Sequence, residues 1–90
     1  MADVIYGTIK VGGNPLASHE ITVKLGEDNH PGKTNDRGSY SIKMDKKGRC
    51  TLSLTYRGEE LSYTVYSQDK PARYDLVVVQ EKDRWILRRK

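Results

Sequence analysis

The sequence predicts an all-β domain, a Greek-key β-sandwich of seven to eight short strands with essentially no helix. Three observations carry this. Apolar residues recur at period two, the signature of a strand with one face buried. Gly, Asn, Asp and Pro cluster at short intervals between those runs, as turns require. No ten-residue stretch shows the 3.6-residue periodicity of an amphipathic helix.

The clearest strand is Cys50–Tyr56, where Cys50, Leu52, Leu54 and Tyr56 share one face and Thr51, Ser53 and Thr55 the other. Cys50 then reads as a small buried hydrophobe. Val4–Val11 is the first strand, with Ile5, Gly7 and Ile9 on one face. Gly12-Gly13-Asn14-Pro15 is a turn, and Glu20–Leu25 follows with Ile21, Val23 and Leu25 inward. A short strand is expected over Gly32–Asn35, then Ser39–Met44 with Tyr40 and Ile42 inward. After Asp45-Lys46-Lys47-Gly48 and the Cys50 strand, Arg57-Gly58 turns into Glu59–Tyr66, where Leu61, Tyr63 and Val65 alternate. Tyr74–Val79 contains the continuous run Leu76-Val77-Val78-Val79, which suits a strand covered on both faces. A final strand, Arg84–Arg88, returns as a hairpin and is expected to cover the outward side of Val77 and Val79.

Composition narrows the class of protein. Ninety residues make one domain, residues 1–90, and a chain of this length buries only about 60–65% of the surface it exposes when unfolded. That suffices for one thin core and leaves little room for a deep, dry cavity. Charged residues are 31% of the chain, but mixed signs and strict apolar patterning exclude disorder. The net charge of +4, from 16 basic and 12 acidic residues, permits weak attraction to polyanions without requiring it. A single cysteine allows no intrachain disulfide. The first residues show neither a basic nor an apolar segment of a signal peptide, and no run approaches the ~18 apolar residues of a membrane span. The expected location is cytoplasmic and without membrane insertion. An excised domain, or cargo of a signal-independent export machine, is the alternative.

Thr34-Asn35-Asp36-Arg37-Gly38-Ser39-Tyr40 follows a recognisable order. Asp36 is expected to form an Asx-turn with backbone two residues on, Gly38 to close the turn at positive φ, and Tyr40 to enter the core. With Gly7-Thr8-Ile9, Gly13-Asn14-Pro15-Leu16 and Ile21-Thr22-Val23, the pattern resembles the carboxypeptidase regulatory-like domain, a transthyretin-like (prealbumin-like) sandwich also akin to the immunoglobulin build. The acidic residue stands one position later than in many members. The resemblance covers roughly residues 4–79, and the hairpin strand of residues 80–90 lies beyond it. It implies an accessory, non-catalytic module, since a fold shared so widely does not specify an activity.

Candidate chemistry is sparse. A transthyretin-like fold also hosts 5-hydroxyisourate hydrolase, whose signature ends in a C-terminal Tyr-Arg-Gly-Ser. Here Tyr56-Arg57-Gly58 lies mid-chain before Glu59, and the chain terminates in Arg88-Arg89-Lys90. His19 and His30 stand in loop or strand-edge settings without the third and fourth ligands a metal needs. Oxygen donors gather at Asp28, Asn29, Asn35 and Asp36, as calcium would require, but Lys33 and Arg37 interrupt them. No catalytic residue, metal site or cofactor is therefore assigned.

Two features suggest binding. Tyr56 and Tyr63 fall on the core side by alternation, while Tyr6 and Tyr66 fall on the outer side. Exposed Tyr with Arg and Trp is the composition of interface anchors. Tyr66, Arg84, Trp85 and Arg88 are the candidate surface. Arginines beside Trp85 also suit nucleic acid, but Glu81 and Asp83 dilute the basic patch, and a charged edge strand that resists aggregation accounts for it better. The expected function is protein–protein interaction or assembly, as an adaptor or a component of a secretion or phage-tail-like apparatus. A carbohydrate or cell-surface accessory domain is the alternative. Nothing in the sequence chooses between a monomer and a homo-oligomer.

Overall fold

The structure, a computed structural model, describes residues 3–90. Ten strands and no helix occur among the described residues: β1 (Val4–Val11), β2 (Asn14–Pro15), β3 (Glu20–Leu25), β4 (Asp28–Lys33), β5 (Ser39–Lys43), β6 (Gly48–Tyr56), β7 (Glu59–Ser67), β8 (Ala72–Arg73), β9 (Leu76–Glu81) and β10 (Arg84–Arg89). Seven correspond to the strands expected from alternation, β4 overlaps an eighth expected strand with shifted bounds, and two-residue pairings at β2 and β8 make up the ten. The all-β, two-sheet sandwich is therefore the observed architecture.

One sheet is four-stranded, in the order β4-β3-β6-β7, and antiparallel throughout. The other is built around β1. Its first half pairs with β5 and, in parallel, with β8, while its second half pairs with β2 and, in parallel, with β9. β10 adds outside β9 as an antiparallel edge. The facing sides enclose a single core. Ile5, Ile9, Ile42, Leu76, Val78 and Leu87 come from the first-strand sheet, and Ile21, Val23, Leu52, Leu54, Leu61 and Val65 from the other. Alternation predicts this because successive strand residues face opposite sides, so one register buries the whole apolar set.

Three expectations are corrected. β4 covers Asp28–Lys33 rather than Gly32–Asn35. Its polar residues show no alternation, and Pro31 is tolerated because β4 is an edge strand. The β10 hairpin does not cover the outward side of Val77 and Val79. It extends the sheet sideways, placing Leu87 opposite Val78 and Ile86 opposite Val79, and Val77 and Val79 remain half-buried. Gly12-Gly13 turns the chain, but Asn14–Pro15 already pairs back onto β1. Tyr56 and Tyr63 pack against the core on the side that alternation predicts, though half-buried, and Tyr40 and Tyr74 are the buried tyrosines.

A polar seam joins β1 to the chain between β8 and β9. Gly7 has φ 153°, and a Cβ there would lie 2.0 Å from the Tyr74 carbonyl oxygen. That close approach lets the Tyr74 N–H reach the Tyr6 carbonyl at 2.8 Å. Asp75 Oδ1 accepts from the Thr8 N–H at 3.0 Å and from the Thr8 hydroxyl at 3.2 Å. The Tyr40 hydroxyl, on β5, donates to the Tyr74 carbonyl at 2.6 Å, and the Tyr74 hydroxyl in turn accepts the Tyr66 N–H at 3.0 Å. Burial, with Asp75 second, pushes the Tyr40 phenol well above its ordinary range.

Candidate functional site

The sequence-predicted surface residues do not form one surface. Tyr66 lies on the outward face of the four-stranded sheet, opposite Arg49, and is 49% exposed. Arg84 and Arg88 are exposed on the outward face of β10, where Arg88 lies 3.9 Å from Glu81. Trp85 alternates to the inward side and packs on the core. Strand parity separates Trp85 from its flanking arginines, Arg84 and Arg88.

The turn motif serves the scaffold. Thr34, 2% exposed, donates its hydroxyl to the Leu16 carbonyl at 2.6 Å and accepts the His19 N–H at 2.9 Å. The Asx-turn is made by Asn35, not Asp36. Asn35 Oδ1 accepts from the N–H groups of Arg37 at 2.9 Å and Ser39 at 3.0 Å, while Asp36 stays exposed. Gly38 has φ 75°, and a Cβ there would lie 2.6 Å from the Ile9 carbonyl. Tyr40 enters the core as expected.

The oxygen donors Asp28, Asn29, Asn35 and Asp36 are dispersed. Asp28 pairs with Leu25 at one end of the β3–β4 ladder, and Lys33 pairs with Glu20 at the other, next to the Asn35 turn. Asp28 faces Lys46 at 3.5 Å. No group of three or more His, Cys, Asp and Glu side chains suited to a metal ion occurs among the described residues. His19 Nε2 is 2.6 Å from the Thr55 carbonyl, and His30 lies on β4 with Nε2 3.8 Å from Asp45. Cys50 is 1% exposed, and burial pushes its thiol up, as befits an inert core residue.

What the fold does bring together is a set of side chains from distant segments at the loop end of the sandwich. The β6–β7 hairpin turns through Arg57-Gly58, between the paired residues Tyr56 and Glu59. The β9–β10 hairpin turns through Lys82-Asp83, between Glu81 and Arg84. Trp85, next along β10, meets Tyr56 edge to face, with ring centroids 5.0 Å apart at 79°. The Trp85 backbone N–H donates to Glu59 Oε2 at 3.3 Å, and the Arg57 guanidinium lies 5.6 Å from the Tyr56 centroid and 5.5 Å from that of Trp85. His19 approaches the far side, its ring 6.4 Å from Tyr56.

Backbone strain gathers at the same end. The non-glycine residues with positive φ among the described residues are Ser18 (51°), Arg57 (50°), Lys82 (49°) and Asp83 (65°). Ser18 adjoins His19, Arg57 covers Trp85, and Lys82-Asp83 carries β10 to Trp85. Left-handed backbone in residues with a Cβ is costly and concentrates at functional sites. A polar groove of about 570 Å³ opens beside the cluster on the outward face of the four-stranded sheet, lined by His19, Glu20, Thr22, Lys33, Ser53 and Glu60.

Sequence reasoning picked out Trp85 here but missed Tyr56 and Arg57 as its partners. The Arg57-Gly58 turn was legible as a turn; its contact with a residue 28 positions later was not. No helix among the described residues is long and apolar enough to cross a membrane. No family model and no curated protein matches the chain.

Proposed function

We propose that this chain is a non-catalytic β-sandwich module for protein–protein interaction or assembly, of carboxypeptidase regulatory-like and transthyretin-like kind, and that it engages its partner through the loop end. The observation that carries this is the convergence of Trp85, Tyr56 and Arg57 with strained turns from separate hairpins. Trp, Tyr and Arg are the residues that dominate binding energy at interfaces, and the ends of β-sandwiches present loops from both sheets to a partner. The Tyr56-Arg57-Gly58 segment is a hairpin turn stacked on Trp85, which favours this reading over the hydrolase. An adaptor acting in the cytoplasm, or a part exported with a larger apparatus, fits a module of this size.

Affinity purification of the tagged chain with quantitative mass spectrometry tests the proposal. A stoichiometric protein is expected with the wild type and with Tyr66→Ser, and at least tenfold less with Trp85→Ala that retains its fold. Undiminished recovery with Trp85→Ala overturns the loop-end assignment, and the absence of any stoichiometric partner overturns the module. The hydroxyl-lined groove beside His19 favours one second reading, a carbohydrate or cell-surface accessory role. Saturable glycan binding that is lost in a Thr22→Val/Ser53→Val variant would establish it instead.

A further inference from the structure

Arg57 is not the residue its turn asks for. A two-residue hairpin loop with positive φ at both positions, 50° at Arg57 and 83° at Gly58, is of the type that Asn-Gly or Asp-Gly adopts readily. An arginine there places a Cβ in left-handed backbone. No carboxylate holds it, since Arg57 makes no ion pair among the described residues. Among the described residues its one side-chain hydrogen bond is long, 3.4 Å from Nε to the Tyr56 hydroxyl, and exposed.

Its guanidinium instead sits over a two-walled aromatic corner. Tyr56 and Trp85 stand nearly perpendicular, and the Arg57 Cζ is almost equidistant from their centroids, at 5.6 and 5.5 Å. The ring faces carry negative potential that attracts cations, most strongly those that shed water easily. Glu59, anchored to the Trp85 backbone N–H, sets a carboxylate at the rim. The corner is half-buried and Arg57 itself is exposed, so the occupant can swing away without disturbing the core.

We propose that the Tyr56–Trp85 corner is a binding site for a weakly hydrated cation presented by a partner protein, the guanidinium of an arginine or the ammonium of a methylated lysine. Arg57 is its intramolecular stand-in and is displaced on binding. This deepens the interaction-module reading by naming the group the loop end grips, and it rests on that reading only for the source of the cation. Because Arg57 is tethered beside the corner, its effective concentration there is high. An incoming cation meets a competitor in the wild type and an open corner once Arg57 is replaced.

The test follows the Trp85 indole N–H and the residue-56 and residue-85 amides by NMR in the full chain. The probes are N-acetyl-arginine amide, N-acetyl-trimethyllysine amide and N-acetyl-lysine amide. Arg57→Asn, which suits the turn, is expected to bind the arginine or the trimethyllysine probe at least about fivefold more tightly than the wild type. The unmodified lysine probe is expected to bind at least about fivefold more weakly than the better of these two, and whichever is better identifies the class of partner residue. Trp85→Leu and, separately, Tyr56→Leu, each in the Arg57→Asn background, are expected to abolish saturable shifts; either variant that keeps a dispersed spectrum suffices. Equal binding in wild type and Arg57→Asn, binding that survives loss of the aromatic walls, or no saturable shift in Arg57→Asn up to ~20 mM probe overturns the proposal. If that happens while the partner captured by the wild type is still lost with Trp85→Ala, the cation site fails and the interaction module stands.

Discussion

Two arginines in this molecule lie over aromatic rings, and the difference between them separates scaffold from binding surface. Arg89, near the end of β10, has its guanidinium 4.8 Å from the centroid of Tyr74 and donates to the Arg73 carbonyl at 3.2 Å. Tyr74 beneath it is buried, and its N–H, carbonyl and hydroxyl are all engaged. The tight approach there falls on Gly7, where no Cβ is present to clash. At the start of β10, Arg57 lies over Trp85 and Tyr56 at longer range, with one long exposed hydrogen bond and positive φ on the arginine itself. The first cluster closes the sandwich. The second leaves aromatic faces and a carboxylate that no part of the fold fully engages.

If the Tyr74 cluster is scaffold, changes there should act on stability. Gly7→Ala should have the largest effect, because its Cβ would overlap the Tyr74 carbonyl. A loss of about 3 kcal/mol or more is expected, read as a fall in Tm of roughly 12 °C or more for a domain of this size. Tyr40→Phe should come next, at about 1–2 kcal/mol, since it leaves the Tyr74 carbonyl without its 2.6 Å partner. The fold favours the neutral Tyr40 phenol. Its contribution is therefore complete below the ordinary tyrosine pKa of about 10 and is lost as pH rises above it. Chemical denaturation from pH 7 to 11 should show the gap between wild type and Tyr40→Phe narrowing only at the alkaline end.

Smaller effects sharpen the boundary of the loop end. Asn35→Ala should lower stability by about 1 kcal/mol, because two N–H groups lose their acceptor. Asp36→Ala should stay within about 0.5 kcal/mol of wild type, a contrast that thermal melts resolve. The comparison itself is tested by the two arginines. Arg89→Met should destabilise by about 0.5–1 kcal/mol, whereas Arg57→Asn should be neutral or stabilising by a few tenths of a kcal/mol, since the turn gains a residue suited to left-handed backbone. A loss of stability in Arg57→Asn equal to that in Arg89→Met would erase the distinction between the two clusters.

Much of the scaffold was legible because burial and strand parity are local. Cys50, Leu52 and Leu54 announce their face through their neighbours, and Gly38 and Tyr40 announce a turn and a core entry. Asn and Asp form the same turn, so residue type does not choose between Asn35 and Asp36, and only the fold shows that Asn35 is the residue turned toward the N–H groups of Arg37 and Ser39. The bounds of β4 are not legible because an edge strand of polar residues carries no alternation. The candidate surface was misassembled for a related reason. Tyr66, Arg84, Trp85 and Arg88 share a composition, but parity sends Trp85 to one side of β10 and its flanking arginines to the other.

The sequence by itself determined the all-β class, the positions of most strands, the inward face of each long one and the burial of Cys50 and Tyr40. Those follow from period-two patterning and turn chemistry, which act over a few residues. The tertiary structure alone decided that β10 extends β9 sideways, that Tyr40 reaches Tyr74, and that Arg57 lies over Trp85. Each depends on which strands and sheets become neighbours, and the in-sheet pairing of β1 with β9, strands at opposite ends of the chain, is not written in any local run of residues.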